Sequence, residues 1–85
     1  MFNVDIGLKN GSILRNCSIF EEVVEDIRVK MVHITDKEKI EQQFSKMPWG
    51  NEHRFVYFQN EDMNGKVNVM SVDWCLERMK TSELH

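Results

Sequence analysis

Phe2, Val4, Ile6 and Leu8 alternate with Asn3, Asp5 and Gly7, a period of two that puts every apolar side chain on one face of a strand. Asn10-Gly11 follows directly, and both residue types tolerate the positive φ that a two-residue hairpin turn requires. The spacing predicts a hairpin with Leu8 facing Ile13, Val4 facing Cys17 and Phe2 facing Ile19. The same count sets Arg15 opposite Ile6 on the apolar face, where its stem packs and its guanidinium reaches solvent at an edge.

Farther along, Ile27, Val29 and Met31 alternate with Arg28 and Lys30 before Val32-His33-Ile34 turns apolar on both faces. This reads as a strand paired on both sides and as the centre of a small sheet. The preceding stretch fits two templates. Phe20, Val24, Ile27 and Met31 share a helical face, with Ser18 and Glu21 as a capping box. The β-branched residues Val23, Val24, Ile27 and Val29 favour strand over a full-length helix, with a turn inside Glu22 to Asp26.

Thr35-Asp36-Lys37-Glu38 forms a second capping box, followed by Ile40, Phe44 and Met47 at helical spacing. A helix over about 36–47 is expected, ending at Pro48 because the residue before a proline is pushed out of the α region. Arg54 to Gln59, with Phe55, Val56, Tyr57 and Phe58, suits an interior strand. Met63-Asn64-Gly65 then closes a hairpin whose preferred register, with Gly65 left-handed, sets Phe58 against Met70 and Val56 against Val72. Residues 71–79 fit a short helix capped by Ser71 or a strand carrying Val72, Trp74 and Leu76, and the pattern leaves both open. The expected fold class is α+β, mainly antiparallel: five strands with one helix inserted between strands 3 and 4, a single domain over 1–80 and a frayed polar tail over 81–85.

The run Leu8-Lys9-Asn10-Gly11, Ile13-Leu14-Arg15, Phe20-Glu21 and Ile27-Arg28-Val29 resembles the first Sm-type motif, a strand-turn-strand-turn-strand of a small bent barrel. The resemblance covers less than a third of the chain. The motif's Met-Asn pair is Val24-Glu25 here, and the Arg-Gly of the second motif is absent. The resemblance implies an Sm/SH3-like sheet or partial barrel, and the RNA binding of Sm proteins does not transfer with topology alone.

Composition narrows the function classes. The chain has 85 residues, 41% of them hydrophobic, and a domain of this size buries only about 60–65% of its unfolded surface. A thin core and uncovered strand edges favour a small homo-oligomer, with Trp49 and the strand Phe55–Phe58 as contributors. Fourteen acidic residues against eleven basic ones give a net charge of −3, which disfavours general affinity for a phosphate backbone. No apolar run is long enough for a membrane span, and the opening residues follow a strand pattern rather than a signal region, so a cytoplasmic protein without membrane association is expected. Cys17 and Cys75 are too few for a disulfide framework and are expected as reduced, buried thiols.

Candidate sites follow from side-chain chemistry. Trp49, between Pro48 and Gly50 and followed by His53 and Arg54, is an interface candidate, because Trp and Arg dominate binding hot spots. The competing structural role is a Trp folded back over the helix-to-strand corner. Nucleic-acid binding would draw on Lys9, Arg15, Arg28, Lys30 and Arg54 beside Tyr57 or Phe58. His33, His53 and His85 with the two cysteines show no metal-ligand spacing, so no metal is expected. No phosphate loop, nucleophile elbow or tight acid pair appears, and neither catalytic residues nor a cofactor are expected. The reading is a non-enzymatic binding module, an inhibitor or adaptor for a protein partner, with candidate binding residues Trp49, His53, Arg54, Tyr57 and Arg15. A nucleic-acid-binding small barrel and a protein that binds or sequesters a nucleotide-type small molecule are the alternatives.

Overall fold

The computed structural model describes residues 3–78. In chain order these form β1 (Asn3–Leu8), β2 (Ile13–Glu25), β3 (Arg28–Ile34), α1 (Lys37–Phe44), β4 (Phe55–Gln59), β5 (Asn64–Asn68) and β6 (Val72–Arg78), with 3-10 turns at Asn51–His53 and Val69–Ser71. The result is a small α+β fold with one helix and a mostly antiparallel sheet of six strands, in the order β5-β4-β2-β1-β6, with β3 also on β2. The five expected strands become six because Val72–Arg78 pairs with β1 as a strand. The tail over 81–85 and the pairing of Phe2 fall outside the described residues.

The organising strand is β2, not the Ile27–Ile34 stretch. The first part of β2 pairs with β1, and its later part carries β4 on Ser18 to Phe20 and β3 on Ile19 to Glu25. Among the described residues, β3 pairs with β2 alone. An alternating pattern looks the same whether one edge or two is paired, which is why the sequence suggested a central strand. The β2–β3 turn is Asp26-Ile27, with Asp26 at φ 55° and Ile27 98% exposed, so Ile27 is a turn tip rather than a strand residue.

The first hairpin keeps Val4 opposite Cys17, but nearer the turn Ile6 faces Leu14 and Gly7 faces Ile13. Arg15-Asn16 forms a bulge opposite Asp5, with Asn16 at φ 55° and its backbone N–H donating to Asp5 Oδ1 at 2.8 Å. One extra residue on β2 shifts the count by one. The loop is therefore Lys9-Asn10-Gly11, with Gly11 at φ 92°, and Leu14 replaces Arg15 across from Ile6. Arg15 is exposed, and the anticipated misfit on the apolar face does not arise.

The second hairpin also departs from expectation. Asn60 N donates to Met63 O at 2.8 Å, and Asn60 Oδ1 accepts from the N–H groups of Asp62 and Met63. That side chain closes the turn at Asn60–Met63, so Asn64-Gly65 begins β5, Gly65 pairs with Phe58 and Val67 with Val56. Gly65 is not among the residues with positive φ.

Helix α1 starts one residue later and stops earlier than its pattern implies. Its N-cap is Asp36, whose carboxylate accepts from Glu38 N at 3.1 Å. At the other end the Arg54 guanidinium takes the carbonyls of Ser45 and Gln42, and Ser45 is already extended. Ile40 is buried, Phe44 is half-buried, and Met47 lies beyond the helix.

One apolar cluster joins Val4 and Ile6 of β1, Cys17 and Ile19 of β2, Ile34, Ile40, Val56 and Phe58 of β4, Val69 and Val72. Both parts of β2 therefore cover the same core. Truncating a fully buried member such as Ile19 to Ala typically costs about 2–5 kcal/mol in cores of this kind.

Candidate functional site

Antiparallel partners point to the same side of a sheet, and the register fixes which residues share the solvent-facing side of β3, β2, β4 and β5. Phe20 pairs with His33 and with Tyr57, Tyr57 with Lys66, Glu22 with Met31 and Val24 with Val29. Ile19, Ile34, Val56 and Phe58 alternate with them and are buried on the other side. The outer face thus carries an aromatic pair at its centre.

A groove of about 500 Å³ lies over that pair. Phe20 and Tyr57 form its floor, Met31 and Lys66 contribute to its walls, and the cross-strand partners Gln59 and Asn64 line it as well. The Lys66 ammonium sits 4.7 Å from the centre of the Phe55 ring. The Tyr57 hydroxyl donates to Glu22 Oε2 at 2.7 Å. That hydrogen bond holds the Tyr57 pKa above its ordinary value, aided by burial and by the negative charge of Glu22. Beside the floor, the His33 ring stands 5.2 Å from that of Phe20 at a 33° tilt, and its buried Nε2 has no hydrogen-bond partner among the described residues.

Beyond the pairing with β4, strands β2 and β3 continue as a two-stranded ribbon. Val24, Ile27, Val29 and Met31 are all exposed along it. Glu22 and Glu25 lie on one strand, and Arg28 and Lys30 on the other, with Glu25 directly opposite Arg28. The ribbon tip is thus made of aliphatic side chains with a charged rim.

The residues singled out in the sequence fall into three places. Trp49, His53 and Arg54 share the corner between α1 and β4. There Asn51 clasps Met47 with two hydrogen bonds of 2.8 Å, its Oδ1 accepting from the Met47 N–H and its amide N–H donating to the Met47 carbonyl. Asn68 holds the carbonyls of Asn51 and Glu52, and Gly50 adopts φ 81°. This fixed corner leaves Trp49 83% exposed, so the alternative of a Trp folded over the core is overturned. Arg54 is occupied as the clamp on the end of α1, and His53 stands exposed near Glu52 at 3.7 Å. Tyr57 lies in the groove. Arg15 is at the bulge, where its carbonyl accepts from the Asn60 amide at 3.1 Å. Phe20, Met31 and Lys66 are groove residues that the sequence reading missed. The signal that finds them is parity, since Phe20 is in step with Glu22 and Val24, and Tyr57 with Phe55.

Cys17 is buried and Cys75 half-buried, and both are free thiols. Burial pushes each up to about 11, with the Asn60 amide acting against this at Cys17 and the neighbouring Cys17 adding to it at Cys75. Among the described residues, no group of three His, Cys, Asp or Glu is placed to hold a metal ion, and no helix is long and apolar enough to cross a membrane. No protein-family model, curated protein or solved structure matches the chain.

Proposed function

We propose that the chain is a non-enzymatic protein-binding module of the inhibitor or adaptor kind that works as a small oligomer, with the β2–β3 ribbon as its contact. The observation that carries this is the row Val24, Ile27, Val29 and Met31, exposed on two strands with Ile27 at the tip. Large apolar groups gathered on one projection are a costly surface for an isolated domain and a favourable one when another protein covers them. The outer edge of β3, which among the described residues pairs with no strand, offers backbone donors and acceptors that suit strand addition. Trp49 is a second anchor, held out by a rigid corner. Of the strand Phe55–Phe58, Val56 and Phe58 are committed to the core, leaving Phe55 and Tyr57 as the residues able to contribute.

The long β2, shared by two antiparallel halves, supports the finer reading of a partial barrel of Sm/SH3-like type. A cytoplasmic setting accords with the two free thiols. Aromatic residues on the outer face favour nucleic-acid binding as a second reading, and Glu21, Glu22 and Glu25 on the same ribbon oppose it.

The test is light scattering over a hundredfold concentration range with the intact chain and with Ile27→Asp/Val29→Asp. Ile27 lies in the turn and Val29 is exposed on β3, so the variant should remain folded, with a loss of about 1–2 kcal/mol for two β-branched residues replaced. We expect a mass above 10.1 kDa that the variant reduces to that of one chain. A constant single-chain mass for the unaltered protein would reject the oligomer. A variant that still associates would move the contact away from the ribbon.

A further inference from the structure

We infer that the outer-face groove is a binding site for a small planar heteroaromatic ligand carrying an anionic group, of the nucleoside monophosphate class. The groove adjoins the ribbon and shares Met31 with it, but the inference does not rest on the protein-binding reading. Three features support this ligand class. Phe20 and Tyr57 are cross-strand partners on one face and together make an aromatic floor, and a flat ring system stacks on such a floor with little regard for its substituents. Gln59 and Asn64 are also cross-strand partners in the groove. Each amide offers both donors and an acceptor, the pattern that a base edge presents in return. Lys66 supplies the charge, since it lines the groove and forms no ion pair among the described residues; its ammonium rests over the Phe55 ring at 4.7 Å, a contact weaker than the charge-assisted bond to phosphate that would replace it.

Size and charge agree. A volume of about 500 Å³ lies within the range of about 300–1,000 Å³ typical of small-molecule sites. None of the described lining residues is acidic, and Glu22 reaches the site through the Tyr57 hydroxyl, which orients that ring. A monophosphate sets its ring on the floor, its base edge toward Gln59 and Asn64, and its phosphate toward Lys66. The single cation matches one phosphate better than a polymer backbone, which requires a wider positive surface.

The experiment is calorimetric titration of the intact chain with AMP, GMP, CMP and UMP, and with adenosine and inorganic phosphate as partial ligands. At least one monophosphate should bind saturably, and more tightly than adenosine or phosphate alone. Lys66→Gln should weaken the monophosphate by about tenfold, the loss of one charge-assisted contact, while leaving adenosine unchanged. Tyr57→Leu should weaken both. Lys66 is exposed, so Lys66→Gln tests the site without threatening the fold. Failure of all four monophosphates to bind below about 10 mM overturns the inference. So does binding indifferent to both substitutions, or binding of a single-stranded oligonucleotide when no monophosphate binds.

Discussion

Gly7 and Trp74 are direct partners across β1 and β6, and the indole of Trp74 occupies the space that a β-carbon on residue 7 would need. Gly7 falls in step with Asn3 and Asp5 on the first strand, and its lack of a side chain is what admits that ring.

Gly7→Ala should therefore displace Trp74 and cost about 1–3 kcal/mol, the usual range for overpacking. Chemical denaturation checks this, with Trp74→Ala and the double variant completing a cycle. The double variant should be less destabilised than the sum of the single changes. Strict additivity would mean that the two side chains do not compete for space.

Gly11 and Gly65 should respond differently to the same change. Gly11 has φ 92° with open space where a side chain would go, whereas Gly65 lies within β5 and outside the positive-φ set. Gly11→Val should lower stability by about 1 kcal/mol or more through backbone strain alone. Gly65→Val should cost less, because a β-branched residue suits a strand. Thermal midpoints of the two variants give the comparison directly.

Asp5 ties the bulge to both neighbours of β1. Burial raises the pKa of its carboxyl, but the Asn16 N–H, the Arg78 guanidinium at 3.1 Å and the more distant Arg15 outweigh that and hold it below 3.8. A depressed carboxylate contributes stability above its unfolded pKa and loses it as pH falls through the folded value. The intact chain should thus lose stability relative to Asp5→Asn as pH drops below about 4, and the two denaturation midpoints should converge there. Parallel curves across that range would show that Asp5 is not coupled to folding.

Both cysteines should resist a thiol-reactive dye at neutral pH while the chain is folded, because thiols pushed up to about 11 present almost no thiolate. Cys75, half-buried, should react before Cys17. In denaturant both should react at the rate of a free peptide thiol. Fast labelling of Cys17 in the native protein would contradict its place in the core.

What the sequence made legible was what depends on neighbours along the chain. The alternation of Val4, Ile6 and Leu8, the pairing of Val4 with Cys17 and the existence of a helix around Ile40 are local patterns. The bulge at Asn16 was not legible, since it depends on Asp5 accepting an N–H from the opposite strand. The early end of α1 has a similar origin in Arg54, which captures the carbonyls of Ser45, just past the helix, and Gln42 from nine and twelve residues away. Asn64-Gly65 looked like a turn by composition, yet Asn60 closed the loop first with its own side chain. For the site, Trp49 and Tyr57 stood out by residue type. Phe20 and Lys66 became visible only when strand pairing set them beside Tyr57.

Because β2 belongs to both halves of the sheet, neither half can melt and leave the other folded, so denaturation should be a single cooperative event. The exception is the ribbon past Phe20, where each β2 residue is bonded across to β3 alone. Its amide protons should exchange with deuterium by fraying from Ile27 inward, long before those of Ile6 and Ile19, whose release requires the whole domain to open.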